Sequence, residues 1–411
     1  MIVADKSTEA NETFFAEGLA KLRAGEMEES TGKLLMDLIE IRADKALLPF
    51  ARKWIKLFPR VESAPRLVGK WLQNYESNDA TYLATSYVKT YPDVNALILI
   101  VRAVAQLPKI PPKLLDAVEK RFASDPNSHV WSRLQAPENP KEELNVLILR
   151  WLEINRYDPK HAVEVSWIAL FSQANDVLNE ILRWIEVNQD KTPDIWIVFV
   201  NMLRGKSESH KLLQERVATT ASQWLRRNPD YRNAGRIYHD VVLALRNSAE
   251  LQQAKNWYLN HSESESAYMA LAGILRAAHL TGDALEPEFV SHAKRILASQ
   301  LPQDRAPVLV ESLLLVSDDP ESIGLAKEIL HHHPPHPWLL VALLRVSPDD
   351  ELISKASERL RKFDDGSPDL IIEMLKIDPK NEIAKTAAKR WLKKYPDNEQ
   401  SKTVQSLLSE S

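Results

Sequence analysis

The amino-acid sequence predicts an all-α protein, a right-handed superhelical α-solenoid of about 11–12 helix-turn-helix repeats. Three observations lead to this prediction: one helical pattern recurs along the chain, glycine is scarce, and prolines stand where helices would begin or end. Only 10 of the 411 residues are glycine. β-Sheets and phosphate-binding loops use more glycine in their turns, so this composition favours helices throughout.

The recurring pattern fits the second helix of a repeat. Each of its four best copies has a small or aliphatic residue twelve places before a proline, an alanine eight places before it and a large aromatic residue five places before it. These positions share one face of a helix. The intervals between copies are close to multiples of roughly 34 residues, the period of helix-turn-helix repeats. The copies are Leu47-Ala51-Trp54-Pro59, Ala80-Ala84-Tyr87-Pro92, Val217-Ala221-Trp224-Pro229 and Ala384-Ala388-Trp391-Pro396.

Weaker versions of the same pattern predict the other repeats. The first repeat has an apolar helix containing Phe14 and Leu19, a turn at Gly25 and a second helix beginning near Ser30. Because turns of uneven length cost little in loop-closure entropy, we predict a single continuous solenoid over residues 1–411. Bends are expected near the proline-containing segments 108–112, 136–142 and 333–337. Further second helices are predicted at Leu114–Phe122, Leu147–Trp151, Leu178–Trp184, Leu251–Trp257, Val290–Leu297, Ile323–Leu330 and Ile353–Leu360.

Prolines also predict where helices start. In each of three dipeptides a residue with a capping side chain stands directly before a proline that fits the first helical turn. Acidic pairs near two of them, Asp318/Asp319 and Asp349/Asp350, resemble paired catalytic carboxylates, but this position favours capping and the helix dipole instead. The dipeptides are Asp319-Pro320, Ser347-Pro348 and Ser367-Pro368.

The 11 tryptophans lead to a prediction about the core. A ring that buries about 150–250 Å² can fill the space between its own helix pair and the next one. Trp167 and Trp196, on first helices, are better candidates for exposure, although burial is expected for them as well. Seven rings at the repeat position of the second helix are predicted to pack between repeats: Trp54, Tyr87, Trp151, Trp184, Trp224, Trp257 and Trp391.

Charge and composition exclude several classes of protein. The 53 basic and 57 acidic side chains give a formal charge of −4, without the basic excess of a typical nucleic-acid binder. The absence of cysteine excludes disulfides and thiolate metal sites. The chain starts without the basic and apolar regions of a secretory signal, and no apolar run of about 18 residues predicts a membrane span. These features predict a cytoplasmic protein that does not associate with membranes.

Short catalytic motifs are missing from the sequence. It contains no motif of serine hydrolases, zinc proteases, dinucleotide-binding enzymes or P-loop NTPases. We therefore predict no enzyme activity, no cofactor and no small-molecule substrate. The tract His331–His336 holds four histidines, which can bind zinc, nickel or copper. Histidines at the end of a helix also interact favourably with its dipole, and no ligand of another type is recognisable beside them, so no metal site is predicted.

The chain resembles the tetratricopeptide repeat (TPR) family. In that family the second helix carries small and apolar residues followed by a proline, as at Ala384, Ala388 and Pro396. The family's small residue before the proline is replaced by Trp or Tyr in the four best copies. The resemblance therefore implies a divergent TPR-like array, with HEAT-like repeats as the alternative. Further matches to the aromatic, close-packing and turn positions of the family are Phe14, Gly18, Gly25 and Gly69.

The resemblance also implies a binding surface, because first-helix positions line the inner, concave wall in the family. Arg66 and Lys70 are four residues apart on one helical face, where they could hold an acidic peptide or a carboxylate. An ordinary solvated face is the alternative interpretation. Carried over from Pro59 and Pro229, the wall positions are Ser63, Arg66, Lys70, Gln73, Asn233, Arg236 and Asp240.

These features predict a non-enzymatic scaffold or adaptor that presents a concave helical surface to a protein or peptide partner. A nucleic-acid-associated solenoid is the alternative, based on basic residues at the ends of second helices, such as Arg226/Arg227, Lys389/Arg390 and Lys393/Lys394. A third hypothesis is a sensor or regulatory subunit of a larger bacterial signalling or defence assembly, by analogy with other divergent arrays. Genome neighbours would separate the first hypothesis from the third.

Overall fold

A computed structural model describes residues 6–25, 27–42, 44–74, 78–91, 97–134, 142–299, 306–332, 337–362, 367–396 and 400–409. Within these ranges the chain forms 23 α-helices joined by turns and short 3-10 helices, and contains no β-strand. The all-α prediction is confirmed, and the number of helices fits the predicted number of pairs. Contacts divide the chain into an N-terminal unit, Met1–Val217, and a C-terminal unit, Ala218–Ser411. A single continuous solenoid and its handedness stay predictions.

The N-terminal unit contains two rows of helices. Its first-helix row consists of α2 (Thr31–Ile41), α4 (Ser63–Asn74), α6 (Ile98–Gln106), a 3-10 helix at His129–Leu134, α9 (Ala162–Phe171) and α11 (Ile195–Arg204). Each of these elements contacts the next one in the row. The helix near Ser30 was expected to be a second helix, but its contacts with α4 place it in the first-helix row as α2. The partner helices are α3 (Leu48–Leu57), α5 (Asn78–Thr90), α7 (Pro112–Ser124), α8 (Asn145–Ile154) and α10 (Asn175–Asn188); α1 (Lys6–Ala24) packs on α2, and the unit ends within α12 (Glu208–Arg227).

The C-terminal unit has the same arrangement. Its first-helix row consists of α13 (Ala234–Leu245), α15 (Ala267–Thr281), α17 (Ala306–Val316), α19 (Pro337–Val346) and α21 (Pro368–Ile377), again with contacts between successive members. The partner helices are α14 (Ser248–Asn260), α16 (Pro287–Ala298), α18 (Pro320–His332), α20 (Asp350–Lys362) and α22 (Glu382–Lys394), and α23 (Ser401–Ser409) packs on α21 and α22. Contacts between neighbouring hairpins, row against row, are the arrangement of a helical repeat protein.

The seven aromatic rings at the repeat position are buried, each at most 5% exposed, as predicted. They lie on α3, α5, α8, α10, α12, α14 and α22. Trp196 is partly buried, but Trp167 is 40% exposed, so the expectation of burial was wrong for that ring. Its side chain lies on the face of α9 opposite the buried residues Val165, Ile168 and Ala169.

Five of these rings donate a hydrogen bond to the backbone of the preceding turn. In the N-terminal unit the indole Nε1 of Trp184 donates to the carbonyl of Asn155, at 3.2 Å. In the C-terminal unit Trp257 donates in the same way to Pro229, at 2.7 Å. In each case the acceptor lies in the turn that ends the preceding hairpin, so the bond links successive repeats. The other three are Trp54 to Glu28 (2.7 Å), the Tyr87 hydroxyl to Pro59 (2.8 Å) and Trp151 to Ser128 (3.3 Å).

Helix capping explains the acidic pairs. The Asp319 carboxylate accepts from the backbone N–H groups of Glu321 and Ser322 at the start of α18, as predicted. At the start of α20 the carboxylate that accepts is that of Asp349, from Leu352 N–H at 2.8 Å, and not the hydroxyl of Ser347 as expected. The reason is that α20 begins two residues later than the Ser347-Pro348 dipeptide indicates. Ser367 precedes α21, but its side chain forms no capping hydrogen bond.

The three segments at which bends were predicted lie at turns or largely outside the described residues. Residues 108–111 form the turn between α6 and α7. Most of the segments 136–142 and 333–337 lies outside the described residues; Glu142 begins a short 3-10 helix and Pro337 begins α19. Among the helices that the structure describes, none combines the length and the apolar character that crossing a membrane requires.

Candidate binding surface

The first-helix row of the C-terminal unit contains an open depression of about 190 Å³. It lies between α15, α17, α19 and α21, so four successive first helices contribute to it. We call it the α19 depression. Because four repeats build it, its shape depends on the stacking of the row and not on a single loop. Its lining residues are Arg276, Glu311, Leu314, Leu315, Trp338, Val341, Ala342, Arg345, Val346 and Asp369.

Apolar residues form much of this surface. Leu314, Val341 and Ala342 are buried core residues that reach the depression from α17 and α19. Trp338, in the first turn of α19, is 46% exposed, in contrast to the buried rings at the repeat position. Pro337 begins this helix, where its missing N–H is not needed, so Trp338 is its second residue. Exposed tryptophans next to apolar pockets are frequent energetic centres of protein interfaces.

Charged side chains surround the apolar surface. The Arg276 guanidinium lies 3.5 Å from the Glu311 carboxylate, and Arg345 Nε donates to Glu373 at 2.9 Å. Burial raises the pKa of Glu311, while the nearby charges of Arg276 and Arg345 act in the opposite direction. The Glu311 carboxyl group therefore lies in a partly desolvated place beside two arginines. The depression combines an apolar floor with a rim of both signs, which suits a peptide better than a single highly charged ligand.

The predicted wall residues of the C-terminal unit lie in and beside α13. Asn233 directly precedes the helix, and Arg236 is partly buried in its first turn. Asp240 is only 6% exposed, and its carboxylate lies 2.7 Å from Nδ1 of the neighbouring His239. None of the three lines the α19 depression. Their role in partner binding stays a prediction.

The predicted wall residues of the N-terminal unit share one face of α4. Ser63 is partly buried at the helix start, and Gln73 is exposed and hydrogen-bonded to Gln106 of α6. Arg66 forms an ion pair with Glu62, and Lys70 forms one with Glu40 of α2. A carboxylate from a partner would therefore have to compete with acidic groups of the chain itself. That these residues bind a partner also stays a prediction.

A second group of side chains lies farther along the same row. We define the arginine–tryptophan patch as Arg102 on α6, Arg133 on the 3-10 helix 129–134 and Trp167 on α9. The Arg133 guanidinium lies over the Trp167 ring, 5.6 Å from its centroid. The ring of Phe171 stacks on the same indole, with centroids 5.6 Å apart. Burial and the charge of Arg102 lower the pKa of Arg133, so two cations lie close together here.

The prediction from sequence missed both groups. In both groups, successive residues are separated in the sequence by about the length of one repeat. The first group is Arg102, Arg133 and Trp167, and the second is Arg276, Glu311 and Arg345. Extending the first-helix positions through every repeat would place these residues at equivalent positions of the row, but the contacts between them depend on helix packing. The predicted wall positions follow the register of Pro59 and Pro229 alone, which does not reach the repeats between these prolines.

The histidine tract is described only in part. His331 and His332 are exposed in the last turn of α18, with ring centroids 5.3 Å apart, and His333 and His336 lie outside the described residues. In the described part of the chain, no three His, Asp or Glu side chains are grouped so that they could hold a metal ion.

Comparison with known proteins identifies no family. No family model matches the chain, and no curated protein matches it either. Solved structures that align with it over most of its length include those of SYS-1 and Efr3. The crystal structure of SYS-1 has a TM-score of 0.33 and 12% identity, covering 99% of this chain and 93% of SYS-1. The crystal structure of Efr3 has a TM-score of 0.22 and 10% identity, covering 98% of this chain and 86% of Efr3. Because these scores are low, the description of the chain as a helical repeat protein rests on the contacts given above.

Proposed function

We propose that the chain is a non-enzymatic scaffold or adaptor that acts in the cytoplasm and binds a protein or peptide partner along its first-helix rows. The α19 depression is the observation that carries this proposal. It offers an exposed tryptophan, an apolar floor and charged groups of both signs, the composition of a protein-binding centre. The missing catalytic motifs are consistent with a binding function.

We further propose that the repeats are of the TPR-like kind. Gly69 supports this, since a Cβ atom at that position would lie 3.1 Å from the carbonyl oxygen of Leu99 on the neighbouring α6. A glycine in a first helix thus allows two hairpins to approach closely, as the close-packing position of the family requires. HEAT-like repeats are the alternative.

Affinity capture with Trp338→Ala tests the proposed function. The full-length wild-type chain and the variant are used as baits, and bound proteins are quantified by mass spectrometry. We expect to recover a specific partner, and its recovery should fall roughly tenfold or more with the variant. The reason is that truncation of a central interface tryptophan often costs about 2–4 kcal/mol of binding free energy. Tyr82→Ala is the matched control, because Tyr82 is an exposed aromatic residue on α5, at 67% exposure.

Equal recovery with Trp338→Ala and Tyr82→Ala would contradict a role of the α19 depression. If no specific partner were recovered and the purified chain turned over a common substrate class, the scaffold proposal itself would fail.

The structure gives no added support to the nucleic-acid alternative. Arg226 at the end of α12 donates to Glu250 at 2.8 Å, and Arg390 on α22 donates to the Leu360 carbonyl at 2.9 Å. These basic groups have partners within the fold. A mobility shift with single- or double-stranded probes that weakens steeply with salt would favour the alternative over our proposal.

A further inference from the structure

We propose that the arginine–tryptophan patch binds an acidic peptide segment of a protein partner, one with an aromatic or aliphatic side chain beside its carboxylates. This inference rests on the proposed function and gives the chemistry of a second contact in the N-terminal unit. The patch comprises Arg102, Arg133 and Trp167, on three consecutive members of the first-helix row.

The two arginines have no anionic partner of their own in the described ranges. Within these ranges neither Arg102 nor Arg133 forms an ion pair. The Nε atom of Arg133 is buried and has no hydrogen-bond acceptor among the described atoms. A buried donor without an acceptor and two neighbouring like charges both raise the free energy of the unbound state. A carboxylate placed between the guanidinium groups would relieve both penalties.

One acidic residue, Glu164, lies close enough to affect Arg133. Its charge raises the pKa of Arg133, against the larger effects of burial and Arg102. The Glu164 carboxylate also lies 3.8 Å from His161, whose hydrogen bond and charge lower the pKa of Glu164. Glu164 is thus shared with a histidine and leaves the pair of arginines with a positive excess.

The exposed indole supplies the apolar part of the site. Trp167 is 40% exposed and is stacked on Phe171, so together they present a continuous aromatic surface. Such a surface can accept an apolar side chain of a peptide while the guanidinium groups bind the adjoining carboxylates. This combination determines the peptide chemistry that we propose.

The extent of the charge favours a peptide over a nucleic acid. On α4, the row member that precedes α6, the basic residues Arg66 and Lys70 are each paired with a glutamate. The patch therefore has two available cations, whereas nucleic-acid binding generally depends on many phosphate contacts. A segment with one or two carboxylates matches this number.

Fluorescence anisotropy with a defined peptide tests the inference. The probe is fluorescein-labelled Gly-Asp-Glu-Phe-Asp-Glu-Gly, added to the full-length chain. We expect Arg102→Gln/Arg133→Gln to weaken its binding roughly tenfold or more, since charge-assisted hydrogen bonds are lost. The control Lys113→Gln/Lys120→Gln removes the same charge from exposed positions of α7 and should change the affinity less than about twofold.

Two further measurements examine the role of the indole and the kind of ligand. Trp167→Ala should weaken binding of the peptide. Replacing the phenylalanine of the peptide by alanine should weaken its binding to the wild type. The same replacement should not weaken its binding to Trp167→Ala any further. A peptide with asparagine and glutamine in place of the acids should bind at least about tenfold more weakly. Unfolding midpoints of all variants establish that they are folded.

Three results would overturn the inference: no binding of the acidic peptide by the wild type, equal losses in the two double variants, or tighter patch-dependent binding of a single-stranded oligonucleotide. The last result would assign the patch to nucleic acid. If a partner captured by the wild type still depended on Trp338, the proposed function would stand and only the acidic-peptide site would be rejected.

Discussion

Single residues in this chain have roles that the type of side chain alone does not determine. Trp184 and Trp338 are both tryptophans at helix positions, yet the first is fully buried and the second is 46% exposed. Position in the hairpin explains the difference, because a ring on a second helix lies between two repeats and a ring at the start of a first helix does not. The repeat position of the buried rings could be predicted from the sequence, since it recurs with the period of the array.

Trp184→Phe tests the hydrogen bond between repeats. The substitution keeps an aromatic ring but removes the N–H that donates to the buried carbonyl of Asn155. We expect a loss of about 0.5–1.5 kcal/mol in the free energy of unfolding, because one hydrogen bond between repeats is removed while the Asp158 N–H still donates to the same carbonyl, at 3.1 Å. The measurement is urea unfolding followed by circular dichroism. Trp338→Phe is the control, for which a change within about 0.5 kcal/mol is expected at an exposed site. Equal midpoints for both variants would count against a stabilising role of the bond.

The Asp319 cap should make stability depend on pH. A hydrogen bond from Ser317 and the ammonium group of Lys294 hold the pKa of Asp319 well below its usual value. A carboxyl group whose pKa is lower in the folded state contributes stability above its unfolded pKa, about 3.9, and loses it as the pH falls towards the folded value. The melting temperature of the wild type should therefore exceed that of Asp319→Asn at about pH 7, and the gap should narrow below about pH 4. A gap independent of pH would contradict this account.

At the scale of elements, regular helices could be predicted and irregular ones could not. The pattern of apolar residues located the second helices, whose faces are buried along their whole length. The 3-10 helix His129–Leu134 takes the place of a first helix and was not predicted, because six residues are too few to show helical periodicity. The arginine–tryptophan patch depends on this element. Its contacts bring Arg133 towards Trp167, and no local pattern in the sequence specifies that approach.

Two glycines in the C-terminal unit test close packing between helices. A Cβ atom at Gly273 of α15 would lie 2.6 Å from the Cα atom of His239 on α13, so Gly273→Ala requires the two helices to move apart. We expect it to lower the free energy of unfolding by about 1–3 kcal/mol. At Gly324 of α18 no heavy atom of a neighbour lies within 4 Å, so Gly324→Ala should raise it by about 0.4–1 kcal/mol. Chemical unfolding of both variants checks the opposite signs, and a loss with both would contradict the difference in packing.

At the scale of the whole molecule, contacts connect helices that are neighbours or next-but-one neighbours in the two units. The stability of such an array is close to a sum over repeats and the interfaces between them. The stacking of helical pairs could therefore be predicted from the spacing at which the sequence pattern recurs. The binding surfaces could not, since the α19 depression needs side chains from four first helices and their relative positions depend on helix packing.

Local contacts also predict how damage spreads within one unit. In Gly273→Ala, amide hydrogen exchange should increase most in α13, α15 and α17, which contact one another in the row, and least in α23. Mass spectrometry of peptide fragments would measure the gradient. A uniform increase throughout the C-terminal unit would show that it unfolds as one cooperative block.

The ring-to-carbonyl bonds have a consequence for how such a chain can evolve. The accepting carbonyls belong to Glu28, Pro59, Ser128, Asn155 and Pro229, which are an acid, two prolines, a hydroxyl residue and an amide. Because every amino acid carries the same carbonyl, the turn can mutate freely without loss of the bond. A duplicated or exchanged hairpin could therefore pack against a hairpin of different sequence without matching side chains in the turn. Recombination of hairpins could in this way produce new binding surfaces.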